Sequence, residues 1–238
     1  MKNHDNSIFK QNSLCETFLL YQNSAKLHND CLDYLSTVEN HLSMSFSRAF
    51  QEAALFVSKT YPTINVSGLI TEEQMKVFYD KLIEVEAENR QVEFVVFLQS
   101  QGLLSLNQAG YYISIINTIL KNQNEKPIVI TSALLGLQNA LLLRTDVNPN
   151  ELSVMYATST GAIASFGYWR AALRDTDNPW NPVTEERALR LPGWLKRGLR
   201  DLGGFIVGGI AGGIIAGPAG AVAGGTLVGG ACSGADGN

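Results

Sequence analysis

Charge is scarce in this chain: 17% of its 238 residues are Asp, Glu, Lys or Arg, against about a quarter in ordinary soluble domains. The shortage is uneven, because after Asp201 the sole charge is Asp236. With 18 basic and 22 acidic residues the net charge is −4, so the basic footprint that displaces counterions from phosphates is missing and no nucleic-acid partner is expected. Cysteine occurs at Cys15, Cys31 and Cys232, with no short paired spacing. That gives neither a disulfide framework nor a zinc knuckle and fits a reducing compartment. The N-terminus, MKNHDNSIFKQNSLCETFLLY, has no unbroken apolar stretch and no small-residue cleavage site, so no secretory signal is read. Ser13-Leu14-Cys15 reverses a lipobox, since its apolar residues follow the cysteine.

Residue types that carry chemistry are equally thin. The histidines, His4, His28 and His41, all lie near the N-terminus, and no serine or cysteine sits in a nucleophile elbow or a triad pattern. His28 and Cys31 can share a helix face, but only His41 and Cys15 could complete a tetrahedral metal set, at irregular distances. Asp175-Thr176-Asp177-Asn178 begins like a calcium loop, yet Pro179-Trp180 replaces the glycine turn and no closing bidentate glutamate follows. Glu84, Glu86 and Glu88 lie two apart and so spread around a helix instead of pairing for acid–base work. The expectation is a non-enzymatic protein with no catalytic, cofactor or metal residues.

What is present is helical periodicity. Apolar residues recur at three and four from about Ser13 to Tyr61, the helical period. Thr71-Glu72-Glu73-Gln74 and Ser105-Leu106-Asn107-Gln108 are capping boxes, in which the hydroxyl and the glutamine satisfy each other's backbone donors. Val92 to Leu98 is β-branched and aromatic enough for a strand, but its helical neighbours favour a helix. Ile128 to Leu143, opened by Pro127, is uncharged and shorter than the ~20 residues of a membrane span, which predicts a buried central helix. Asn148-Pro149 predicts a capped helix to about Arg174.

The fold class expected is therefore all-α. An irregular bundle of about six or seven helices occupies 1–174, a Pro/Trp linker 175–193, and a Gly/Ala-rich helical tail 194–238. The tail reads GGFIVGGIAGGIIAGPAGAVAGGTLVGGACSG from Gly203 to Gly234. Small residues recur every fourth position in two interleaved series. One is Gly204, Gly208, Gly212, Ala216, Gly220 and Gly224; the other is Gly209, Gly213, Gly217, Ala221, Gly225 and Gly229. Such spacing lets helix backbones approach closely in lipid. No GxxxxGK[ST] is present, so these glycines are not a phosphate loop.

The tail resembles the glycine-zipper segments of bacterial membrane-associated proteins, including pore-forming peptides and bacteriocins; the body looks like uncharacterised helical bacterial proteins. The resemblance implies a bilayer as partner, with self-association through the tail. Trp194, Lys196, Arg197 and Arg200 then read as an interfacial collar, and Gly217-Pro218 as a hinge that leaves one tilted span or two short helices open. The basic residues precede the apolar run, so the positive-inside rule places the body in the cytoplasm, with the protein membrane-associated. The function expected is a tail that anchors the protein or self-associates in a bilayer, in a pore-forming or bacteriocin-like role. The alternative is a soluble interaction or oligomerisation module whose tail packs on the body or on a partner.

Overall fold

The computed structural model describes residues 24–63, 65, 71–181 and 192–235. Expectations for the N-terminal helix before Ser24, most of the Pro/Trp linker and Asp236 lie outside these. The described chain is all-helical, with no strand among the described residues. It comprises α1 (residues 24–36), a 3-10 turn (His41–Ser43), α2 (Phe46–Thr60), α3 (Glu72–Ala87), α4 (Gln91–Ser100), α5 (Leu106–Lys121), α6 (Pro127–Leu142), α7 (Pro149–Ala172) and α8 (Gly193–Gly234). That is nine helical segments among the described residues, more than the six or seven expected.

Local chemistry sets the boundaries. Thr71 and Ser105 each accept from the backbone N–H three residues on, while Gln74 and Gln108 reach back to the caps. Ser45 starts α2 by accepting from Arg48 N at 3.3 Å. Helix α4 ends at Gly102 (φ 71), where Leu103 N donates to Leu98 O and Gly102 N to Gln99 O, a left-handed C-terminal stop that glycine adopts without strain. Asn89 (φ 56) closes α3 in the same way. The β-branched run 92–98 is helical because its burial follows the helical period: Phe94, Val95 and Leu98 are buried while Glu93 and Val96 face out. Packing here outweighs strand propensity.

One core binds α1 to α8. Leu32 and Leu35 of α1, Ala49 and Ala53 of α2, Tyr112 and Ile115 of α5, and Trp169 of α7 join Leu195, Ile206, Leu227 and Ala231 of α8 in a single buried cluster. The segment expected to leave the body is thus the element the body packs around, chiefly through α7 and α2.

Helix α6 departs from its expected central position. It buries Ile130, Leu134 and Leu141, but exposes Ile128, Val129, Leu135 and Leu142, and the next residue, Leu143, is 82% exposed. Its other face packs on α5 and α7, so it forms an outer layer.

Candidate functional site

Helix α8 is two antiparallel arms. Its helical assignment runs from Gly193 to Gly234, but Gly217 has φ 61 and Pro218 follows it, as suits the first turn of a new helix. Residues sixteen apart in a straight helix lie about 24 Å from each other. Here, in contrast, a methyl group placed on Gly208 would fall on the Gly224 carbonyl, one on Gly212 on the Gly220 carbonyl, and one on Gly204 2.6 Å from the Gly229 Cα. The chain therefore folds back on itself, and glycine is required where backbone meets backbone.

The second glycine series meets mostly side chains. Gly209 faces Thr158, Gly213 faces Val154, and Gly225 faces Phe205. Gly229 contributes to both, since it underlies Gly204 and lies near the His28 ring and Phe205. The body completes the fit with reciprocal sockets: Phe205 fills the space over Gly161 of α7, and Phe166 of α7 fills the space over Gly198.

Polar groups gather at the open end of the hairpin. Asp201 and His28 are fully buried. Asp201 Oδ2 accepts from Trp169 Nε1 at 2.7 Å, from the Ser165 hydroxyl, and lies 3.1 Å from His28 Nε2. With the carboxylate ionised, Nε2 is the nitrogen that carries the proton, because Oδ2 can only accept. Asp201 Oδ1 and His28 Nδ1 have no hydrogen-bond partner among the described residues. Serine, histidine and aspartate meet here, but the hydroxyl donates to the carboxylate instead of the imidazole and the cluster is closed to solvent. It is not arranged as a nucleophile and its base.

Next to it, Arg200 is 6% exposed and grips Glu86 of α3 through Nε to Oε2 at 2.7 Å and Nη2 to Oε1 at 2.9 Å. Lys196 adds a third contact to Glu86 at 3.0 Å. Burial alone would lower the Arg200 guanidinium, but the Glu86 carboxylate outweighs it and holds the group above its usual value. Arg197 Nη1 donates to Ser233 O at 2.6 Å and Ser233 Oγ donates back to Arg197 O at 2.9 Å, which ties the two arms together. The Arg197 guanidinium also lies 4.6 Å from the Trp169 ring centre and 5.6 Å from that of Trp180, within cation–π range. Trp194 packs edge-on against Phe166. Arg197, Arg200 and Trp194, expected as a collar facing a membrane interface, are thus turned into the protein. Cys31 and Cys232 are held protonated far above the usual thiol range, by burial first and by the nearby Asp201 charge second.

The closed end of the hairpin is the opposite. Ile214 is 79% exposed. It borders two apolar clefts, one of ≈ 470 Å³ between the hairpin and Met75, Phe78 and Leu98, and one of ≈ 380 Å³ against Val154 and Leu103. Among the described residues no helix is long and apolar enough to cross a membrane, and no group of His, Cys, Asp and Glu could hold a metal.

Sequence reasoning missed the buried network. A lone acid, Asp201, at the entrance to an uncharged stretch was the available signal, since burial of such a group demands donors. Trp180, in the segment expected as a linker, is likewise buried, its Nε1 donating to the Tyr168 hydroxyl at 3.0 Å. No family model, curated protein sequence or solved structure matches the chain.

Proposed function

We propose that this is a non-enzymatic, membrane-associated protein that carries a glycine-zipper hairpin inside its own helical body and releases it to anchor or self-associate in a bilayer, in a pore-forming or bacteriocin-like role. The observation that carries this reading is the division of labour within the hairpin. One glycine series joins arm to arm, so the hairpin has its own packing and can move as a unit. From Leu202 to Ala235 it carries no charge. Two arms of about 17 residues reach about 25 Å each, somewhat short of the ~30 Å hydrocarbon core, a mismatch that local thinning of the bilayer accommodates. Glycine costs about 1 kcal/mol per helical position in water; in lipid the backbone has no competing partner and the cost falls away. Inserted as a hairpin, the arms return the C-terminal end to the side on which Lys196, Arg197 and Arg200 remain, so the body stays cytoplasmic.

The test is a tether. Ala157 of α7 and Val222 of the second arm pack in one small cluster, and Ala157→Cys with Val222→Cys would fasten the hairpin to the body. Vesicle leakage is expected from the reduced protein and not from the oxidised one. Equal leakage from both, or none from either, would sink the proposal.

A second reading is supported by the Arg200–Glu86 grip and the Asp201 network: the hairpin is the permanent core of a soluble helical interaction or oligomerisation module. It predicts a protein that stays monodisperse with vesicles present and never opens the tethered cluster.

A further inference from the structure

Helix α6 carries no charge between Lys126 and Arg144, and five of the ten large apolar side chains exposed among the described residues lie on it or at its C-cap: Ile128, Val129, Leu135, Leu142 and Leu143. Ile128, Leu135 and Leu142 stand seven apart, so they fall on one side of the helix, with Leu143 beside them and the exposed Ser132 and Asn139 between them. Exposed apolar residues scattered singly need no explanation, whereas five gathered on one short helix mark an interaction surface.

Ile128 and Thr131 also line a cleft of ≈ 350 Å³ together with Phe166, Gly167, Arg170, Ala171 and Arg174. Arg170 lies in the last turn of α7 and Arg174 just past its C-cap, Leu173, where Arg174 N donates to Ala171 O at 3.1 Å. Neither makes an ion pair with a carboxylate among the described residues, and Arg170 Nε is buried without a hydrogen-bond partner there. Lys126, two residues before Ile128, is exposed and has no carboxylate partner among the described residues.

The geometry points to this face as the surface on which the folded protein first docks to an anionic phospholipid bilayer. The α6 ridge enters the headgroup region, and Arg170 and Arg174 take a lipid phosphate at the cleft. Each part follows from its chemistry. A guanidinium matches phosphate oxygens with paired donors and is weakly enough hydrated to leave water. An uncharged apolar helix face flanked by cations is what lies flat in a membrane interface. The charge complementarity selects lipid over a second copy of the chain, which would bring the same arginines together. Area argues the same way: a ridge about 24 Å long and ~10 Å wide offers roughly 250 Å² per copy, well short of the ~800 Å² per partner of a stable dimer.

This inference deepens the proposed membrane role by giving the step before hairpin release, and it rests on that reading. The experiment is flotation of the full-length protein with vesicles of mixed phosphatidylglycerol and phosphatidylcholine or of phosphatidylcholine alone, with leakage recorded in parallel. Wild type is expected to float with the anionic vesicles, and less so as salt is raised. Arg170→Gln/Arg174→Gln is expected to weaken binding about tenfold or more. Leu135→Ser/Leu142→Ser is expected to do the same with unchanged far-UV circular dichroism. Equal binding by either double variant, or equal binding to both vesicle types, overturns the docking face even if the protein leaks. Binding that the variants abolish, without leakage by wild type, keeps the docking face and removes hairpin release. A sedimentation shift from dimer to monomer in the leucine variant would assign the ridge to a second copy and overturn the inference.

Discussion

Helix α6 and the α8 hairpin are both long uncharged stretches of the described chain, and they occupy opposite places: α6 lies on the outside with Ile128, Leu135 and Leu142 in solvent, and the hairpin lies at the centre. Apolarity is common to both, so it does not decide the location. Side-chain size does. The hairpin's glycines let its arms touch backbone to backbone and admit Phe205 and Phe166 into sockets on α7 and α8, which gives many close contacts per residue. Helix α6 carries larger leucine and isoleucine side chains and buries only the face its neighbours reach. The hairpin is also held at its open end by ion pairs and hydrogen bonds, whereas α6 keeps one comparable polar tie, Gln138, whose Nε2 donates to Ser159 Oγ at 3.1 Å and Thr160 Oγ1 at 2.7 Å.

The sharpest way to break this contrast is to give the hairpin a side chain. Gly212→Leu drives a branched group into the Gly220 carbonyl, and loss of at least ~4 kcal/mol is expected, seen as a chain that no longer unfolds cooperatively in urea. A small change there would mean the arms are not in contact. Next in size is the open end. Glu86→Gln leaves the buried Arg200 charge uncompensated, and a loss of about 3 kcal/mol is expected from denaturant midpoints. The corresponding cut on α6, Gln138→Leu, removes only neutral hydrogen bonds and should cost about 1 kcal/mol. If the two losses are equal, the ion pair does not anchor the hairpin.

Alkali tests the layer between the two regions. Burial pushes the Tyr111 hydroxyl up from 10.0 to about 12, and it raises Tyr112, whose hydroxyl donates to Thr158 beneath Gly209, still further. A raised folded-state value keeps its stabilisation below the unfolded value and loses it as pH climbs through the folded one. Stability should therefore fall between pH 10 and about 12, by ~2 kcal/mol for Tyr111. Tyr111→Phe should flatten that fall; an unchanged slope would place the loss elsewhere. The smallest effect is a gain. Gly136 of α6 has open space where a side chain would go, so Gly136→Ala should stabilise by about 1 kcal/mol, measured as a raised Tm. A loss would show that α6 is covered.

These contrasts also show what could be read from the residues alone. The capping boxes at Thr71 and Ser105 were legible because cap and partner lie three residues apart. The all-helical class was legible because the apolar period runs through α2, α3 and α5. The outward face of α6 was not, because an uncharged helix looks the same whether its neighbours cover it or not. Nor was the burial of Arg200, whose partner Glu86 is 114 residues away; a basic residue beside a tryptophan reads as interfacial until that carboxylate is known. The pairing of Gly204 with Gly229 depends on where the chain turns, and the four-residue spacing suits several registers.

The reversal at Gly217 bears on biosynthesis. Helices α1 to α7 leave the ribosome before either arm exists, so the leucine, phenylalanine and tryptophan faces that meet the hairpin have nothing to close against until translation of α8 is finished. Domains commonly fold from the N-terminus as they emerge; this one must wait for its centre, holding a half-made shell open in the meantime. A nascent chain of that kind exposes apolar surface until α8 arrives, and a frameshift within α8 would be felt by every helix already made.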